Sequence, residues 1–174
     1  MHKQRDEYLA FRRKFEPTSV KLVIVAESPP KTGKYFYDPA GRTTEPLFAA
    51  LMQQLKHAPA TKEDGLREFQ LRGWLLVDAT YEPVDGVTNK KERDAVITRD
   101  YDLLRYDLDR MLSDKSTPVV LIKANVCRLL ESRMKEDGFN VLNGGRAVYF
   151  PSNGRQPDFR RQFDAVLKST GKAS

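Results

Sequence analysis

The run Leu22–Ala26 (Leu-Val-Ile-Val-Ala) stops at Glu27-Ser28-Pro29-Pro30, and this junction constrains the fold more than any other stretch. Five continuous, β-branched-rich apolar residues suit a strand buried on both faces of a parallel sheet. Pro29 and Pro30 fix φ and remove backbone donors, so the strand must end and the following loop is stiff. Glu27 then stands at a strand's carboxyl end, where open α/β sheets place their ligands. Lys31, Gly33 and Lys34 lead into three aromatics, Tyr35, Phe36 and Tyr37. Two readings fit these residues: a site for nucleotide chemistry, or a buried strand with a proline turn and a packed aromatic cluster.

The rest of the chain repeats the strand–helix alternation. Tyr8, Leu9, Phe11 and Phe15 predict an amphipathic helix over about 4–15, within an N-terminal segment 1–18. The first strand covers about 21–26. Pro46 opens a helix carrying Leu47, Phe48, Leu51, Met52 and Leu55 on one side. Residues 56–68 read as a polar loop with room for a short helical turn. Trp74–Ala79 reads as a second strand with Asp78 at its end, followed by a polar segment over 81–91. One helix is expected over about 92–113, a third strand over 119–123 and a helix over about 125–136. Val148-Tyr149-Phe150 reads as the fourth strand, before Pro151-Ser152-Asn153-Gly154-Arg155 and a last helix over about 158–168. The pattern predicts one α/β domain over 1–174: a three-layer α/β/α sandwich around a mostly parallel four-stranded sheet.

Composition narrows the chemistry. A single cysteine, Cys127, excludes an internal disulfide framework and any four-cysteine zinc or iron–sulfur site. It lies in an apolar-periodic segment and reads as packing. The two histidines, His2 and His57, stand away from the strand ends, so neither a histidine triad nor a histidine metal site is expected. The net charge of +6 favours polyanionic partners. No apolar run reaches the ~20 residues of a membrane span. The charged opening Met1–Glu7 lacks the apolar core of a secretory signal, which points to the cytoplasm.

Polar residues at the ends of the first, second and fourth predicted strands can converge on one cleft: Glu27, Asp78, and Ser152 with Asn153 and Arg155. Each also has a plain reading as a cap or turn residue. With these motifs in this order, the chain resembles the uracil-DNA glycosylase superfamily. Ala26-Glu27-Ser28-Pro29-Pro30 is similar to that family's first signature, Gly-Glu-Ala-Pro-Gly or Gly-Gln-Asp-Pro-Tyr after a strand. Phe150-Pro151-Ser152 before a helix is similar to its second, His-Pro-Ser. The resemblance implies a protein that flips a base out of DNA and hydrolyses its N-glycosidic bond. No metal or cofactor is expected, since the sequence shows no ligand cluster, and a monomer that acts away from membranes is expected.

It also implies roles. Phe36, or else Tyr35, would stack on the flipped base, although either could be plain core. Glu27 would position water and stabilise the sugar cation. Ser28 stands where relatives often use Asp or Asn to hold the water, so that burden would fall on Glu27, and Ser28 itself would be among the base-binding residues. Asp78 replaces the usual base-reading Asn; as a carboxylate it only accepts, which favours an exocyclic amine over the O4 of uracil. Phe150 stands where relatives have a His that supports the departing base, and Asn153 or Arg155 would have to replace it. Lys31, Lys34, Ser152 and Arg155 would contact the DNA backbone, with Arg42, Lys90, Lys91 and Arg93 nearby. Two rivals are a non-catalytic nucleic-acid-binding module of the same fold and a nucleoside or nucleotide hydrolase.

Overall fold

Leu22–Ala26 does form a strand, β1, with all five residues buried. The structure, a computed structural model, describes residues 2–169. β1 lies between β2 (Trp74–Asp78) and β3 (Pro118–Leu121), and β4 (Asn140–Val141) completes the sheet in the order β2-β1-β3-β4. Every pairing is parallel. Alternation along β1 sends Leu22, Ile24 and Ala26 to one face, and Val23 and Val25 to the other. The first face packs against α2 (Pro46–Gln54), α3 (Lys62–Leu71) and α7 (Gln156–Lys168). The second packs against α4 (Lys90–Arg99), α5 (Tyr101–Met111) and α6 (Ala124–Glu136). This is the expected three-layer α/β/α arrangement, with a four-stranded parallel sheet.

The opening helix α1 (His2–Arg13) is locked by Arg12, which is fully buried. Its guanidinium forks onto Asp107 of α5 at 2.7 and 2.9 Å and donates to the Tyr81 hydroxyl at 2.7 Å. A buried charge is tolerable only with such complete pairing.

Three local expectations are corrected. The fourth strand is Asn140–Val141, not Val148–Phe150. In the latter stretch the Val148 carbonyl accepts from Lys123 N at 2.6 Å, but Tyr149 N turns to the Gln162 side chain at 2.8 Å instead of a ladder partner. Residues 62–71, placed mostly in a loop, form α3. Thr61 caps it by accepting from Asp64 N at 3.1 Å, and Gly65 gives room for Phe48, whose Cζ would lie 2.3 Å from an added Cβ. The helix expected over 92–113 divides at Asp100 (φ −88°, ψ 1°) into α4 and α5. There Thr80 Oγ1 and the Arg99 guanidinium both donate to the Asp100 carboxylate.

Two side chains finish the sheet. Tyr37 Oη accepts from Leu76 N at 2.7 Å and donates to Leu76 O at 3.0 Å, satisfying the outer edge of β2. Asn143 does the same for Leu121 of β3, accepting from its N at 2.8 Å and donating to its O at 3.0 Å. Both edges are thereby closed to further pairing at these positions.

Candidate functional site

Glu27 leaves β1 at its carboxyl end and remains buried, 7% exposed. Two residues from the β3–α6 junction reach it. Lys123 Nζ donates to Oε1 at 2.6 Å, and Asn125 Nδ2 donates to Oε2. Lys123 holds a positive φ of 82°, a region that L side chains rarely adopt. Such backbone costs on the order of 1–3 kcal/mol and persists where the surroundings over-determine it. Here the Lys123 amide donates to Val148 O, and its carbonyl accepts from Cys127 N at 3.1 Å as α6 begins.

Neither Lys123 nor Asn125 belongs to a motif that marks it in the sequence. A signal was present: Lys123-Ala124-Asn125 follows the apolar run Val119–Ile122 directly, so polar residues stand at the third strand end as they do at the first two.

Asp78 ends β2 beside this group, in register with Ala26. It is 3% exposed, and its Oδ2 has no hydrogen-bond partner. Burial pushes its pKa up to about 7, against the opposing pull of the Arg12 cation. A carboxyl group of this kind exchanges its proton near neutrality.

The proline loop and the 81–89 segment are tied together. Ser28 Oγ accepts from Val84 N at 3.2 Å, and Lys31 N donates to both oxygens of Asp85 at 3.1 Å. Beyond the prolines, Tyr35 packs against Tyr8 with ring centroids 4.8 Å apart, and Phe36 against Tyr37 at 5.0 Å and Phe69 at 5.2 Å. Both rings are buried. The Tyr35 carbonyl accepts from Lys62 Nζ at 2.7 Å, and that buried ammonium also pairs with Glu45 at 3.1 Å. Burial lowers the Lys62 pKa and raises that of the Tyr35 hydroxyl, which has no hydrogen-bond partner.

These residues enclose a cavity of about 310 Å³ at the carboxyl ends of β1 and β2. Glu27, Ser28, Lys34, Tyr35, Phe36 and Asp78 all line it, as does Lys123, and Phe150 contributes from the loop before α7. Phe150 of the second sequence motif therefore meets the first motif at this cavity. Ser152, Asn153 and Arg155 are exposed in the loop beyond Phe150 and do not line the cavity. Arg155 pairs with Asp158 at 3.2 Å and lies over the Tyr149 ring. Lys31 also stays outside the lining, with its side chain near Gly86. Phe36 and Tyr35 are core residues and cavity walls at once, so the two sequence readings of them are compatible.

Asp78 also borders a second cavity of about 280 Å³ with Arg5, Tyr81, Arg99 and Asp107. Among the described residues, no group of three or more His, Cys, Asp or Glu side chains is placed to hold a metal ion. No helix of the described residues is long and apolar enough to cross a membrane. Comparison with protein-family models gives no match, and comparison with curated proteins gives none either.

Proposed function

We propose that the protein hydrolyses the N-glycosidic bond of a base flipped out of DNA. One observation carries this reading: a single cavity unites an anchored carboxylate, Glu27, a buried carboxyl with a free oxygen, Asp78, and an aromatic wall, Phe36. A cavity of about 310 Å³ lies at the small end of ligand pockets, which run from roughly 300 to 1,000 Å³, and so suits one base. The base lies against Phe36, and Asp78 meets its polar edge. Protonated, Asp78 donates to a carbonyl; ionised, it accepts from an exocyclic amine. Cleavage leaves positive charge on the sugar and negative charge on the base. Glu27 stabilises the first. Lys123 supplies a cation for the second in place of the donor that Phe150 lacks.

The exposed Lys31 and Lys34 on the proline loop, with Lys90 and Lys91 in the first turn of α4, favour a polymeric anion over a free nucleoside. An alkali-cleavage assay on oligonucleotides carrying uracil, hypoxanthine or xanthine tests the reading. Abasic sites formed by the wild type and not by Glu27→Gln are expected. Their absence on every substrate would overturn it.

A second reading is a binding module without catalysis. Phe150, an apolar ring at the cavity with no hydrogen to donate, favours it. Salt-sensitive DNA binding without abasic sites in the same assay would support that alternative.

A further inference from the structure

The contact between Lys123 and Glu27 has the form of an activated nucleophile. An amine nucleophile needs a base within hydrogen-bond reach, and the base needs a third group to orient it. Lys123 Nζ stands 2.6 Å from Glu27 Oε1, and Asn125 holds the other oxygen of Glu27. The lysine side chain is 33% exposed and lines the cavity, so its amine is accessible from the space where a sugar would lie. The positive φ at Lys123 adds an independent observation, because strained backbone that survives at a cavity wall points to a demand on where that side chain is aimed.

We infer that Lys123 captures the aldehyde of a ring-opened abasic sugar as a covalent imine, with Glu27 as its proton acceptor. This extends the base-excision reading, since removal of a base in the cavity leaves such a sugar beside Nζ. Glu27 takes one proton from the ammonium, freeing the nitrogen electron pair. The pair bonds to C1′, and a second proton passes from the nitrogen to the former carbonyl oxygen to give a neutral carbinolamine. That hydroxyl departs as water with the proton returned by Glu27, leaving a protonated C=N bond. No oxidant or reductant takes part, and hydrolysis by water reverses the step.

The test uses oligonucleotides with a preformed abasic site, single- and double-stranded, with sodium cyanoborohydride to reduce the imine to a stable amine. A covalent protein–DNA adduct is expected on a denaturing gel, with peptide mapping placing the DNA on Lys123. Lys123→Arg keeps the cation but cannot form an imine, and the adduct should be lost while the melting temperature stays near that of the wild type. Lys135→Ala, at an exposed position of α6 outside the cavity, should leave the adduct on Lys123. No adduct with the wild type, attachment to another lysine, or an undiminished adduct with Lys123→Arg would each overturn the inference. Because the site is preformed, base removal is bypassed. An adduct without base release from a modified oligonucleotide sinks only the excision reading, and base release without an adduct sinks only this one.

Discussion

Lys123 and Glu27 are 96 positions apart, yet their side chains meet at 2.6 Å at the carboxyl edge of the sheet. The register of β1 against β3 pairs Val25 with Leu121 and brings the two strand exits side by side. The charge pair is thus a product of sheet topology, and its removal has a definite cost. Lys123→Ala leaves the buried Glu27 carboxylate with Asn125 alone. Loss of a charge-assisted hydrogen bond of this type costs about 1–3 kcal/mol. Denaturant melts should show this loss, and Glu27→Gln/Lys123→Ala should lose less than the sum of the two single variants.

Asp78 should set a pH dependence of stability. Its folded pKa, about 7, lies above the ordinary 3.8, so between those values the native state binds more protons than the unfolded chain. Stability then falls as pH rises through this window, and the destabilisation is complete above pH 7. At ~1.4 kcal/mol per pH unit, the effect amounts to a few kcal/mol at most. Asp78→Asn should flatten this slope in thermal melts from pH 4 to 8 and raise the melting temperature at pH 8 relative to the wild type. In the glycosylase assay the same variant should shift preference towards uracil.

Phe36 combines packing with the cavity wall, and two substitutions separate these roles. Phe36→Ala deletes a ring packed on Tyr37, Phe48 and Phe69 and should cost about 3–5 kcal/mol. Phe36→Leu keeps most of the volume and should fold, with weaker binding of a flipped base in fluorescence titrations.

Gly65→Ala should destabilise despite the better helix propensity of alanine. Propensity favours Ala by ~1 kcal/mol, but the new Cβ would lie 2.3 Å from Phe48 Cζ and 2.9 Å from Met52 Sδ. Overpacking of this kind costs about 1–3 kcal/mol, and urea melts should show a net loss.

Arg12→Met should cost about 3–5 kcal/mol, because it strands Asp107 in the interior, leaving it the half-exposed Arg110 at 3.2 Å. Arg12→Met/Asp107→Leu should recover much of that loss, since an apolar pair of similar volume replaces the buried ions. Denaturant unfolding of the three proteins checks the order.

Local pattern carried most of the architecture. The apolar runs at 22–26, 74–78 and 118–121 are long enough to read as buried strands, and their spacing by helical segments dictates parallel crossovers. Glu27 and Asp78 could be placed at strand ends because an abrupt change from apolar to acidic is a local signal. α3 is hard to read from the sequence because its amphipathic stripe is short and interrupted by Gly65, whose value lies in Phe48 on another helix. Val148–Phe150 has strand-like composition, but whether an extended segment joins a sheet depends on partners that composition does not record. Tyr149 N found the side chain of Gln162 instead.

From its residues alone, then, the chain determined the layer pattern, the position of the first acid and the stiffness of the loop after it. These follow from period, chain geometry and proline chemistry within a few residues of one another. Only the tertiary structure decided that Lys123 and Asn125 hold Glu27, that Phe150 rather than Asn153 joins the cavity, and that Asp78 keeps an unpartnered oxygen. Those outcomes depend on strand register, on the turn at φ 82° and on desolvation, which arise only when distant segments pack together.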